Sequence, residues 1–193
     1  EPNKFNVDKI TKAEAKKRGL PILSSSAEAL DVFEDKKLTS FLSDMKVLSP
    51  EEIHSRYHIA VERYNKTLEI EIHTLMELVT TCTLPALEQY VVQVGAAHEA
   101  VGRAAVKKLH AARVEEAEST LESILKGMDA LKGALEKLSK LTDENEKMKF
   151  IAKTANPLAV ELCQASDDAE RIVPDELWPL PKYREMLFAN TLS

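Results

Sequence analysis

The strongest constraint on how this chain can fold lies between residues 113 and 141. Val114, Ala117, Leu121, Ile124, Met128, Leu131, Leu135 and Leu138 follow one another there at alternating three- and four-residue steps without a break. Such a heptad seam puts all eight side chains on one side of an α-helix, and the helix gains stability only when another helix covers that side. Met148, Ile151, Ala155, Leu158, Leu162, Ala165, Ala169 and Ile172 repeat the pattern, and only a short polar link at residues 142–145 separates the two runs. A link of that length makes its flanking helices neighbours, so the seams are expected to pair face to face as an antiparallel hairpin. Pro157 lies inside the second seam and is expected to bend it.

Upstream, Ser49, Pro50, Glu51 and Glu52 spell a helix start. Ser at the N-cap, Pro at the first helical position and Glu at the third form a capping box with a preset first turn. Ile53, Tyr57, Val61, Tyr64, Leu68, Leu75, Val79 and Cys82 then line one stripe of a long helix, until Pro85 deletes the bond to the Thr81 carbonyl and predicts a kink or break. The pattern resumes at Leu87 and becomes small after Val94, with Gly95, Ala96, Ala97, Ala100, Gly102, Ala104 and Ala105, a surface another helix can approach closely. Residues 1–18 read as one short helix with Asp8 as N-cap, stopped by Gly19 and Pro21. Ser26 is expected to cap a second short helix.

Ala, Leu, Glu and Lys dominate the composition, there are five glycines, and aromatics are 5% of 193 residues. No run alternates as a half-buried strand does. The expected class is therefore all-α: a long antiparallel helical bundle with kinked helices and a proline-rich C-terminal tail. The expected divisions are short N-terminal helices at 1–48, the bundle at 49–173 and the tail at 174–193. In that tail three prolines alternate with large apolar groups. Trp178, Tyr183, Leu187 and Phe188 are expected to anchor it on the bundle, while Tyr57, Tyr64 and Pro85 serve as anchors within the long helix.

Several function classes are disfavoured. The net charge of −6 argues against nucleic acid. The basic clusters at 9–18 and 103–113 are read as helix C-terminal cations meeting the negative pole of the dipole. No apolar run reaches membrane-spanning length. The residues Glu1-Pro2-Asn3-Lys4 carry no signal-peptide pattern, so a cytoplasmic location is expected. Cys82 and Cys163 read as buried free thiols. There is no phosphate loop, no Gly-x-Ser-x-Gly and no His-Glu-x-x-His. Glu51 with His54, and Glu69 with His73, lack the partners a di-metal carboxylate bundle needs. His54 and His58, one turn apart, read as surface residues with a pH switch as the sharper alternative. No catalytic, cofactor or metal residue is assigned.

Three stretches, taken in order, resemble type III glutamine synthetases. The first is His54-Ser55-Arg56-Tyr57 followed by Tyr64-Asn65-Lys66-Thr67-Leu68-Glu69-Ile70-Glu71. The second is Thr83-Leu84-Pro85-Ala86. The third is Trp178-Pro179-Leu180-Pro181-Lys182-Tyr183-Arg184-Glu185-Met186-Leu187-Phe188. Ala15-Lys16-Lys17-Arg18-Gly19-Leu20 also resembles the segment where that family's catalytic domain ends, while residues 95–150 carry the likeness only as helix. The resemblance implies a parent enzyme that joins ammonia to glutamate at the expense of ATP, with magnesium or manganese, in a ring-based homo-oligomer. It implies that this chain is the C-terminal helical domain, partnered by the catalytic domain of the same polypeptide. The metal-binding glutamates and nucleotide-binding residues of the family's catalytic sheet have no counterpart here, so none is carried over. A free-standing helical interaction module is the competing reading, and a metal-carboxylate bundle enzyme the third.

Overall fold

The computed structural model describes residues 7–20, 22–23 and 25–188, and among them no strand occurs. The chain divides into two compact units, Glu1–Tyr64 and Asn65–Ser193. The division falls inside a long helix, α4 (Pro50–Leu78).

The first unit contains α1 (Val7–Lys17), α2 (Ser26–Asp31) running into a 3-10 turn at Val32–Glu34, α3 (Lys36–Asp44) and the first half of α4. Asp8 lies inside α1 and so does not cap it. Lys16 and Lys17 occupy its last turn, as expected of cations at a C-terminus. Gly19 adopts φ +70° and the Leu20 amide donates to the Ala15 carbonyl at 2.9 Å, which closes α1 in a Schellman turn. The cap of α2 is Ser25, one residue earlier than expected. Its hydroxyl accepts from the Glu28 amide, so Ser26 becomes the first helical residue. The α4 capping box forms as read: the Glu52 amide donates to Ser49 Oγ at 3.2 Å, and the Ser49 amide donates to Glu52 Oε2 at 2.7 Å.

α3 ends in the same way as α1, but with lysine in the glycine's place. Lys46 has φ 55°, and the Val47 amide donates to the Leu42 carbonyl at 2.8 Å. A side chain in the left-handed region is strained, and glycine is not. Lys46→Gly is therefore expected to stabilise the first unit by about 0.5–1 kcal/mol, read as a rise in the thermal midpoint. An unchanged or lowered midpoint would remove this account of the turn.

The second unit holds the remainder of α4, a π turn at Val79–Thr83, α5 (Leu84–Ala100), α6 (Ala104–Leu138), α7 (Glu144–Phe150), a second π turn at Ile151–Ala155, α8 (Asn156–Ile172) and α9 (Tyr183–Phe188). The two π turns share one cause. Each ends two residues before a proline, Pro85 or Pro157. A proline ring collides with the carbonyl four residues back, here Thr81 or Lys153, and both lie in the middle of a π turn. Widening the turn moves that carbonyl aside. The Leu84 amide reaches back five residues to Val79, and the Asn156 amide to Ile151. The hydroxyls of Thr80 and Thr81 also donate to the Met76 and Glu77 carbonyls at 2.7 and 2.8 Å.

α5 packs on α6, and α6 on α8. Within the α6 seam, Ala117, Ile124, Leu131 and Leu138 are buried, whereas Val114, Leu121, Met128 and Leu135 are only half-buried. Each set has a spacing of seven, so one flank of the seam is covered more deeply than the other. Facing it, Ile151, Ala155, Leu162, Ala165 and Ala169 are buried as expected, but Ala159 and Val173 take the buried places expected for Leu158 and Ile172. Of the five glycines only Gly127 sits against a neighbour, where a Cβ would stand 3.2 Å from Leu162 Cδ1. The run of small residues after Val94 is not such an approach, because a Cβ at Gly95 or Gly102 would meet nothing within 4 Å. That run is instead broken at residues 101–103, where Val101 and Arg103 are extended. The basic cluster at 103–113 consequently starts α6 rather than ending a helix. Two of its cations have side-chain partners. Lys107 lies 3.8 Å from Glu99, and Arg113 donates to the Tyr90 hydroxyl at 3.1 Å.

Candidate interaction site

All the expected anchors but Phe188 have a definite place. Tyr57 is buried on α4, with its hydroxyl 3.5 Å from Asp31 Oδ1. Tyr64 is half-buried, and that burial pushes its phenol above the ordinary range. Pro85 is half-buried at the start of α5, just past the first π turn. Trp178 is 8% exposed and belongs to the same buried cluster as Leu131, Leu162 and Val173, with Leu177 and Leu180 packed against it.

Beyond Leu180 the tail is held by polar contacts instead of the apolar anchors expected. Tyr183 is 55% exposed and Leu187 is exposed too. The side chain of Phe188 lies outside the described residues. The reason is local. Tyr183 begins α9, its amide donates to Glu170 Oε1 at 2.9 Å, and its hydroxyl donates to Asp167 at 3.2 Å, so the ring lies along the surface of α8.

Two polar residues do more, and one of them, Lys182, reverses the expectation that it stays solvated at the rim of the tail with Glu176 and Arg184. Lys182 is buried, and its ammonium donates to the Val173 carbonyl at 2.7 Å and the Glu170 carbonyl at 3.0 Å, closing the C-terminal end of α8. Asp175 lies 3.0 Å from the same ammonium and also pairs with Arg184. Lys182 holds the Asp175 carboxyl below its usual range. Asn65 is buried within α4, and its amide donates to the backbone and the carboxylate of Glu144, both at 2.8 Å. That fixes α4 to the start of α7 across 79 residues of sequence. Its position offered a signal: Asn65 lies four residues after Val61 and three before Leu68, on the apolar stripe. Lys182 offered a weaker one, a cation shortly past a helix C-terminus.

The first unit presents a groove of about 490 Å³ lined by Phe33, Lys36, Ser40, Asp44, Ile53 and His54 among others. The unit also leaves Leu20, Ile22, Leu23, Phe33, Leu38, Phe41, Met45 and Val47 exposed, and Phe33 among them lines the groove. That is a high share of exposed large apolar side chains for one small helical unit. Among the described residues, no three His, Cys, Asp or Glu side chains gather where they could hold a metal, and no helix is long and apolar enough to cross a membrane. Cys82 is half-buried and Cys163 exposed, so neither is the buried thiol expected.

Comparison with known proteins places this geometry. A family model described as the glutamine synthetase C-terminal domain matches residues 6–101, ending where α5 gives way to the extended link. The type-3 glutamine synthetase of Dictyostelium discoideum is 32% identical over 181 residues, which is 90% of this chain and 25% of that protein. A glutamine synthetase of Butyrivibrio fibrisolvens is 28% identical over 183 residues, 91% of this chain and 26% of that protein. One from Bacteroides fragilis is 27% identical over 206 residues, 98% of this chain and 27% of that protein. The chain thus spans about a quarter of the length of the curated relatives it matches. The family match on its first half, and the type-3 relative aligned across nine-tenths of it, establish that the chain belongs to the glutamine synthetase family as a C-terminal domain of the type III kind.

Proposed function

We propose that this chain is a non-catalytic domain that docks on the catalytic domain of the same polypeptide and helps to build or regulate a homo-oligomeric enzyme. The parent reaction is the ATP-dependent amidation of glutamate by ammonia, with magnesium or manganese, in the cytoplasm. One observation carries the reading: nine-tenths of this chain aligns with only a quarter of a glutamine synthetase. The exposed apolar surface of the first unit supports a docking role for residues 1–48. Residues 49–173 form the bundle in this reading, with α6 and α8 antiparallel and the helices bent at the two π turns, where kinks concentrate. Residues 174–193 are the tail that closes it.

The test is direct. The purified chain is assayed for ATP-dependent glutamine formation, and the parent enzyme is sized with and without this domain. No activity from the chain alone, and a smaller assembly or altered activity when the domain is removed, are the expected results. Glutamine formation by the isolated chain would overturn the reading. A parent enzyme unchanged in size and activity without the domain would favour a free-standing interaction module.

A further inference from the structure

The first turns of α4 carry a pair of imidazoles with no part in the packing described above. His54 and His58 lie one turn apart, both exposed, with their Nε2 atoms 2.9 Å from each other. The ring planes are 88° apart and the centroids 4.3 Å apart. On the far side of the His54 ring, Nδ1 faces Glu34 Oε1 at 3.9 Å. We propose that His54 and His58 form a two-imidazole chelate for a divalent transition-metal ion of the nickel or copper class, with water completing the coordination.

The ligand set favours that class over zinc. Two imidazoles with water in the remaining positions suit nickel and copper in square-planar or octahedral geometry, whereas zinc sites are tetrahedral and take three or four protein ligands. Two nitrogens at about 2.1 Å from one ion and at a right angle stand about 3.0 Å apart, so the hydrogen-bonded pair at 2.9 Å needs little movement to admit the ion. Without the ion, the same pair is held by one Nε2–H donating to the other Nε2, which requires one ring in each tautomer. Glu34, 3.9 Å from His54 Nδ1, is beyond hydrogen-bond distance and contributes a nearby negative charge without fixing the tautomer. Binding asks that whichever ring carries the Nε2 proton move it to Nδ1, so no net proton is released when both rings start neutral.

No third His, Cys, Asp or Glu completes the set among the described residues, so the remaining positions fall to water and the ion stays exchangeable. This site is separate from the magnesium or manganese proposed for the parent enzyme, because those ions prefer carboxylate and water oxygen to imidazole. Occupied, it would tie two successive turns of α4 together beside the groove of the first unit.

Nickel(II) titration of the whole chain by calorimetry at neutral pH tests the proposal. The parent is expected to bind one ion at this site, and His54→Ala and His58→Ala are each expected to weaken binding roughly tenfold or more, the scale on which even outer-shell changes act. Glu34→Gln should weaken it less than either, and His73→Ala should leave it unchanged. Saturating nickel should also raise the thermal midpoint of the parent and not that of the double histidine variant, since only a ligand bound to the native state stabilises it. Both imidazoles are exposed, so the metal-free variants are expected to match the parent's circular dichroism. Parent-like affinity in both single variants, or an equal loss in His73→Ala, would overturn the assignment.

Discussion

Leu131→Asp is expected to leave the chain largely unfolded under conditions where the parent is folded. Leu131 is 0% exposed, in the deeply covered half of the α6 seam. Removing its side chain forfeits about 1.5–3 kcal/mol of apolar burial. A carboxylate in its place would be buried in the apolar cluster, and an unpaired buried charge adds several kcal/mol more. The sum passes the ~4–5 kcal/mol that marks exceptional single substitutions and approaches the whole stability of an ordinary domain. The sign of its pH dependence is fixed too. Burial raises the pKa of the introduced carboxyl in the folded state above its unfolded value. The charge deficit is therefore absent below the unfolded pKa, grows as the pH rises and is full only above the raised folded pKa. Urea denaturation provides the measurement, with Lys132→Asp on the exposed side as control, expected within about 0.5 kcal/mol of the parent. Equal midpoints for Leu131→Asp and the parent would mean that the seam is not buried.

The α6 seam was legible because its period is strict and nothing interrupts it. Its asymmetry was not, because the spacing of Val114 and Ala117 is the same whether one flank or both are covered. That depends on how α5 and α8 meet α6, which is tertiary information. Capping chemistry read well where donor and acceptor are three residues apart, as with Ser49 and Glu52. It slipped by one residue where serines adjoin at Ser25 and Ser26, since either hydroxyl can serve. Pro85 and Pro157 mark where the helices leave α geometry, and the response is a wider helical turn, which a sequence does not distinguish from a break. The start of α6 was misread because alanine-rich helix continues plausibly through Val101, Gly102 and Arg103. Only the extended backbone there reveals that the basic cluster opens a helix.

Among the site residues, the apolar anchors were easier to read than the polar ones. A large aromatic in a proline-rich tail has one good use, so Trp178 could be expected inside. Tyr183 resembles it in sequence but has a hydroxyl, and Asp167 offers a partner at the surface. Lys182 runs against the ordinary rule that lysine stays outside. It is buried because two helix-end carbonyls and a carboxylate meet its three donors, an arrangement that exists only after α8 and the tail have come together. Asn65 is buried for a comparable reason, its partner lying in α7. The histidine pair was visible as an i, i+4 spacing. The separation of its nitrogens, which gives the spacing chemical meaning, was not.

Trp178→Ala is expected to cost about 3 kcal/mol, at the low end of the range for deleting a buried aromatic, because a tail near the end of the chain can partly collapse into the space. Trp178 sits in the core cluster beside Val173, and its amide donates to the Pro174 carbonyl at 3.1 Å, so the turn at residues 174–178 delivers the indole directly onto the end of α8. Leu177 and Leu180 pack on either side in sequence, and Lys182 closes the arrangement from beyond. Among the described residues the buried indole Nε1–H has no partner, a deficit on the order of 1–3 kcal/mol for such a donor. Trp178→Phe therefore separates the two contributions. It keeps most of the apolar contact and discards the unmet donor, so its stability is expected to stay within about 1 kcal/mol of the parent. Because Trp178 is the only tryptophan, its emission reports on the tail alone. Native emission should be blue-shifted and should move to longer wavelength in the same urea transition that melts the helices, since the indole belongs to their core. Water-like emission in the folded chain, or an alanine variant as stable as the parent, would mean that the bundle stands without its tail.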